Sequence, residues 1–339
     1  MNCPHPTPSP TQGLLAMKII ATGSALPAQK ITSAQLDAQL NKPAGYVERR
    51  SGIAHRYHAS ADASQAELGA QALRSALADG HLAPDSIDLL LFASAVPIQA
   101  LPYSASHVLK VSPLPAGTAC FDINSSCVSF ISALQVAAAL LNAGAYRRIA
   151  IVSTDLASRG IDWADEESSL IFGDGAACAI VERGNGRSGI AACLLETYPQ
   201  GSDLCEIKAG GTRRNPRAGM ELHDFLFHMQ GKRLFKQASA LIEGFFERLF
   251  AASGFTLADM ATVVPHQASH LSLEHMRKRL GVPSERLIDI YRHHGNQVAA
   301  SIPTALHHAR STGRLPEGEP ALLIGTAAGL TLGGMVIIP

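Results

Sequence analysis

Asp122-Ile123-Asn124-Ser125-Ser126-Cys127-Val128-Ser129-Phe130 leaves an apolar run, crosses a short polar turn and enters an apolar helix. Ala119–Ile123 reads as a buried strand. Residues 128–142 read as a core helix, apolar nearly all round and ended by Gly144. A strand feeding a buried helix through a tight turn is the unit of α/β layering. Cys127 stands at that turn, where unpaired backbone N–H groups and the positive end of the helix dipole favour thiolate over thiol. Most free cysteines are inert filler, a reading that suits Cys3, Cys178, Cys193 and Cys205, with Cys120 packed inside a strand.

Working outward, short apolar runs alternate with helical patterns. Strands are expected at 17–22, 87–94, 148–154, 176–182, Gly189–Thr197, Thr262–Pro265, 320–325 and 333–338. Helices are expected at 64–78, 230–253 and 269–280, the last stopped by Gly281 with Pro283 beyond. One strand runs into Ala93-Ser94 and another into Ser153-Thr154-Asp155. Later, one runs into Pro265-His266 and another into Gly325-Thr326-Ala327. Two similar halves are therefore expected, residues 17–185 and 186–339, separated near Gly184–Ser188, behind a disordered leader over residues 1–16.

The 339 residues suffice for one large or two medium domains. With 47% apolar and 17% charged residues, much of the chain must be buried. Lys and Arg number 28, as do Asp and Glu, so no global field points to nucleic acid or membranes. Six cysteines without CxxC spacing argue against a disulfide framework or a zinc site. Neither a signal peptide nor a bilayer-spanning run is read. The expectation is a cytoplasmic enzyme needing no metal or cofactor.

Two further polar residues lie in turns. His266 follows an apolar strand and precedes a helix that Ser269 can cap; strand C-termini in α/β layers are where ligands bind. Asn296, in His294-Gly295-Asn296-Gln297, occupies a turn, which leaves an active-site role open as well. Residues 325–334 form a glycine-rich loop between two strands. No Lys follows and no helix opens there, so it is not a phosphate loop. It suits backbone N–H groups brought close to a carbonyl oxygen. Ile171-Phe172-Gly173-Asp174-Gly175 reads as a structural turn into a strand.

Asp-Ile-Asn-Ser-Ser-Cys-Val-Ser-Phe, Ile-Phe-Gly-Asp-Gly-Ala-Ala, Val-Pro-His-Gln-Ala and His-Gly-Asn-Gln-Val-Ala-Ala-Ser-Ile-Pro, in that order, resemble the β-ketoacyl-acyl carrier protein synthase III family of the thiolase superfamily. Met17–Gly23 and Arg50-Ser51-Gly52-Ile53 fit it too. The resemblance implies a thiolase-like five-layered αβαβα fold of two duplicated halves, and a homodimer. It implies Cys127 as the acylated nucleophile, His266 and Asn296 as the pair promoting decarboxylation of a malonyl-type extender, and the backbone N–H groups of Cys127 and Ala328 as the oxyanion hole. Donors would be acyl-CoA or acyl-carrier protein, and the extender would ride on carrier protein or CoA.

The departures from that pattern concern the donor. Tyr46, four residues before Arg50, stands where the family has the tryptophan that stacks adenine of coenzyme A, and Glu166 where it has the partner arginine. Leu271 replaces an arginine, Ser269 an asparagine, and Thr326-Ala327-Ala328-Gly329 a triple glycine. Leu101 takes the place of a phenylalanine limiting the acyl pocket at the dimer interface, and Tyr46, Arg50, Leu101 and Phe235 are the expected substrate contacts. Adenine stacking is weakened by roughly 0.5–2 kcal/mol of lost cation–π energy, favouring a carrier-bound or larger acyl donor. Lys232, Arg233, Lys236, Arg277, Lys278 and Arg279 are candidates for an acidic carrier protein's docking rim, although a solvated helix face explains them equally. The alternative on the same fold is a non-decarboxylating acyltransferase that moves the Cys127 acyl group to an oxygen or nitrogen. A cysteine hydrolase would share Cys, His and Asn, but the residues around Cys127 do not match Cys-Gly-Ser-Cys-Trp.

Overall fold

The computed structural model describes residues 13–339. The leader expected over residues 1–16 lies outside them up to residue 12. Its last two residues are ordered instead: Leu15–Ala16 pair antiparallel with Ile190 and Gly189 as an edge strand.

Leu89–Ala93 is buried at every residue, because both faces of its sheet are covered. Leu89 and Leu91 join the apolar cluster at the molecule's centre, while Leu90 and Phe92 join a separate outer one, as the two-residue period of a strand requires. The first sheet runs in the order Lys18–Ala25, Gly175–Glu182, Arg148–Asp155, Leu89–Ala93, Ala119–Ile123. Its last three strands are parallel and the other pairings antiparallel.

The second sheet runs Leu15–Ala16, Gly189–Thr197, Thr331–Ile338, Ala321–Ala327, Thr262–Pro265. Its last four strands repeat the order and sense of the first sheet's first four, ending on a parallel pair. The two sheets are thus copies of one topology. The first adds Ala119–Ile123 at one edge, and the second adds Leu15–Ala16 at the other.

Helices Ser129–Asn142 and Ser301–Ser311 lie between the sheets and touch both, filling the central cluster with Phe130, Ile131, Leu134, Ile302 and Leu306. Gln65–Asp79 and Ser104–Val111 cover the outer face of the first sheet, and Gly231–Ser253 with His270–Leu280 that of the second. Five layers result. Caps set the boundaries: Ser64 and Ser269 each accept a backbone N–H three residues on, and Gly281 ends its helix at φ +65°. Each such cap is worth about 1 kcal/mol.

Helix Ser129–Asn142 is not enclosed all round, as its sequence suggested: Gln135, Val136 and Ala139 are exposed. A two-stranded antiparallel sheet of Gln29–Thr32 with His55–His58 also forms, which no apolar run announced. Among the described residues, no helix is long and apolar enough to cross a membrane.

Candidate active site

Cys127 follows strand Ala119–Ile123 and precedes helix Ser129–Asn142, for which Val128 is the N-cap. The turn is held by its own small polar residues. Asn124 Oδ1 accepts the Ser126 N–H at 2.9 Å, and Ser129 Oγ donates to the Ser126 carbonyl at 2.6 Å. Ser126 itself sits at φ +54°, a left-handed conformation that turns the chain sharply just before the thiol.

Val128 explains two glycines. Gly325 and Gly333 are register partners on adjacent strands. A Cβ at Gly333 would meet Val128 at 3.1–3.2 Å, and one at Gly325 would lie 3.1 Å from Val128 and 2.9 Å from His266 Cβ. The sheet is stripped of side chains there so that the start of the central helix and His266 can settle against it. The expected glycine-rich loop is consequently a tight hairpin. Ala321–Ala327 and Thr331–Ile338 continue through Gly325, Gly333 and Gly334, leaving only Ala328-Gly329-Leu330 as the turn.

His266 leaves the end of strand Thr262–Pro265 and is buried. Its backbone N–H donates to the Ile324 carbonyl at 2.7 Å, while Nδ1 is buried without a hydrogen-bond partner among the described residues. Burial pulls the imidazole down to about 4, so the ring is neutral at physiological pH. Asn296, also buried, is fixed at both ends of its amide. Oδ1 accepts from Val298 N–H at 2.8 Å, and Nδ2 donates to the Ala268 carbonyl at 3.3 Å. Its backbone is stitched to Ile171 and Gly173, so the turn read as structural is also what seats Asn296.

The Ser126 hydroxyl lies 3.8 Å from the Cys127 sulfur, and the backbone N–H groups of Ala328 and of Cys127 itself are near enough to ease its ionisation. The expected thiolate is nevertheless not favoured. Burial pushes the thiol up to about 11, and the Asp155 carboxylate adds to the rise. Desolvation outweighs the helix end and the nearby N–H groups, because the partly buried Cys127 packs against the central apolar cluster. Asp155 was passed over in the sequence, although a polar residue closing an apolar strand (Ile149–Thr154) was the available signal.

The remaining expected contacts scatter. Tyr46 Oη donates to Glu166 Oε2 at 2.6 Å, and Lys42 pairs with the same carboxylate while lying 5.3 Å over the Tyr46 ring. Arg50 is close enough to act on both Tyr46 and Glu166. Leu101 is 84% exposed and Phe235 packs edge-on against His275. Arg277 and Lys278 pair with Glu274, and Arg279 pairs with Glu243. Two carboxylates thus offset most of those three charges, while Lys232, Arg233 and Lys236 have no acidic partner among the described residues.

A family model described as 3-oxoacyl-[acyl-carrier-protein (ACP)] synthase III matches residues 121–199, and its C-terminal counterpart matches residues 250–338. The β-ketoacyl-[acyl-carrier-protein] synthase III 3 of Streptomyces coelicolor is 33% identical over 95% of this chain and 97% of its own. The β-ketoacyl-[acyl-carrier-protein] synthase III of Allorhizobium ampelinum is 30% identical over 93% and 97%. The crystal structure of 3-oxoacyl-(acyl carrier protein) synthase III from Pseudomonas aeruginosa PAO1 superposes with a TM-score of 0.85. It is 29% identical and covers 95% of this chain and 98% of that one.

Proposed function

The chain belongs to the 3-oxoacyl-[acyl-carrier-protein] synthase III family, and from that premise we propose a condensing acyltransferase of fatty acid biosynthesis, with Cys127 carrying the acyl group. The observation that carries this reading is Cys127 at the turn into the central helix, with the backbone N–H groups of its own residue and of Ala328 near enough to favour charge on its sulfur. When the sulfur holds an acyl group, the carbonyl oxygen takes up that pair of donors, and the tetrahedral oxyanion is stabilised there.

The reaction balances in two transfers. The Cys127 thiol attacks a donor thioester, losing its proton as the S–C bond forms and the donor thiol leaves. A malonyl thioester then releases carbon dioxide, and the electron pair of the broken C–C bond becomes an enolate. Neutral His266 and the Asn296 amide each hydrogen-bond the enolate oxygen; Nδ2 carries two hydrogens and spends only one on Ala268. The enolate carbon attacks the acyl carbonyl, and collapse of the adduct expels the Cys127 sulfur, which recovers a proton.

The donor reading follows from Tyr46, Glu166 and Lys42. The Glu166 carboxylate, bonded to the Tyr46 phenol and to Lys42, stands where a partner guanidinium for adenine stacking is expected. An acyl-carrier protein or a larger acyl thioester suits that entrance better than free acetyl-CoA. Lys232, Arg233 and Lys236 supply the unpaired positive charge for an acidic carrier protein. Strand Ala119–Ile123 is a sheet edge with Phe121 exposed, and the open side of the central helix shows Val136. A second copy closing both supports a homodimer, in which exposed Leu101 would reach the partner's acyl pocket. A cytoplasmic location fits the unpaired cysteines Cys120, Cys127, Cys178, Cys193 and Cys205.

Product mass spectrometry with a malonyl carrier protein, and separately with hydroxyl and amine acceptors, tests the reaction class. The β-ketoacyl product is expected. Esters or amides formed without carbon dioxide release would replace condensation by simple acyl transfer.

A further inference from the structure

Asp155 closes strand Arg148–Asp155 and is wholly buried. Its carboxylate has no cationic partner among the described residues. Instead it accepts three backbone N–H groups: Val96 at 3.0 Å, Ala95 at 3.2 Å and Ala299 at 3.0 Å. Burying a carboxylate without a counter-ion costs several kcal/mol, about what single buried ions cost in proteins, and here its negative charge also works against the neighbouring nucleophile. Neither effect favours its presence. The hydrogen bonds it gathers show what it does.

On one side, the Ala95 carbonyl accepts from Asn124 Nδ2 at 2.9 Å, and Asn124 Oδ1 accepts the Ser126 N–H at 2.9 Å. That chain ends on the residue before Cys127. On the other side, Ala299 lies in the turn whose Val298 N–H holds Asn296 Oδ1 at 2.8 Å. The first chain belongs to the first sheet's connections and the second to the other half of the molecule. The Asp155 carboxylate accepts from both.

We propose that Asp155 is a positioning residue for the condensation read above, on which this inference rests: its carboxylate holds the Cys127 turn and the Asn296 amide in one fixed relation. Loading the acyl group needs only the first of these residues, whereas condensation needs both at once. The cost of losing the clamp should therefore fall on the second transfer. The ionisable groups acting on Asp155 and its site are Asp174 and the Cys127 thiol; burial pushes the Asp155 carboxyl up to about 7, with the three N–H donors opposing.

The test is Asp155→Asn, which keeps the shape, removes the charge and turns an NH2 toward N–H donors. Condensation kcat should fall about 10- to 100-fold with the donor KM held within about twofold. Iodoacetamide should meanwhile alkylate Cys127 at lower pH than in the wild type, because the opposing charge is gone. A thiol made easier to ionise in an enzyme made slower is not what loss of stability alone produces. Unchanged kcat in folded Asp155→Asn, or an unmoved alkylation profile, overturns the proposal. Should that variant not fold, Asn124→Ala cuts the chain at an exposed residue. It should slow condensation about tenfold without moving the alkylation profile, and wild-type rates there overturn the proposal equally. Cys127→Ala separates the two readings. If it is inactive while both clamp variants run at full rate, the positioning role alone fails. If it condenses normally, the reading of the reaction itself fails.

Discussion

Asn296 Nδ2 donates 3.3 Å to the carbonyl of Ala268, two residues past His266, while Asn296 Oδ1 accepts the Val298 N–H. The amide cannot flip without losing both bonds, so its remaining hydrogen has one direction to point. Replacing Asn296 by Ala should cut malonyl decarboxylation by about 10²–10³, the usual cost of one oxyanion donor. Acylation of Cys127 should be spared. Carbon dioxide release and acyl loading, measured separately, check the split; equal loss in both would assign Asn296 a purely architectural role.

The Cys127 thiol, held near 11 by burial, should alkylate slowly at pH 7, with a rate rising about tenfold per pH unit through pH 8–10. A rate already level by pH 8 would mean that the helix end and backbone donors outweigh desolvation after all.

His266 is neutral above about pH 5, since its folded value is about 4 against 6.5 when exposed. A depressed histidine contributes stability that is present above pH 6.5 and is lost as the pH falls through 4. Asp155 runs the other way: its raised value favours the fold below pH 3.8, and that contribution is lost as the pH rises through 7. The wild-type Tm minus that of His266→Ala, followed from pH 7 to 4.5, isolates the histidine and should decrease. The acid limb of kcat should likewise lie well below pH 6.5. A limb at 6.5 would show an imidazole in contact with water.

Gly325→Ala places a methyl 2.9 Å from His266 Cβ and 3.1 Å from Val128. Overpacking of this kind costs about 1–3 kcal/mol. Because both neighbours adjoin reacting groups, kcat should drop more steeply than the Tm shift accounts for. Circular dichroism and condensation rates on one preparation decide it; a stable, fully active variant would refute the packing argument.

Tyr46→Trp combined with Glu166→Arg should lower the KM for acyl-CoA donors and leave carrier-bound donors little changed. No preference shift would mean that the Tyr46–Glu166–Lys42 cluster lies away from the donor's path.

Much of the architecture was legible in the sequence because buried strands announce themselves. Ala119–Ile123, Gly189–Thr197 and Thr262–Pro265 have the expected bounds, and Ser269 caps the helix it was expected to cap. The repeat of halves showed in where strands ended, and strand ends proved to be where Cys127, His266, Ala328 and Asp155 gather. What escaped was whatever depends on distant partners. Desolvation of the thiol is set by layers far apart in sequence, a contribution that helix-end reasoning at Cys127 leaves out. The bond from Ala299 to Asp155 spans the two halves. Arg279 is neutralised by Glu243 of another helix. The two-stranded sheet of Gln29–Thr32 with His55–His58 carries too little apolar surface to stand out.

The most direct measurement is intact-protein mass spectrometry of the enzyme with an acyl donor, followed by addition of malonyl carrier protein. The wild type should gain one acyl mass, mapped by peptide sequencing to Cys127. It should lose that mass on addition of the extender, as a β-ketoacyl product two carbons longer appears. Cys127→Ala should show neither event. An acyl group mapped to another residue, or full condensation by Cys127→Ala, would contradict the account.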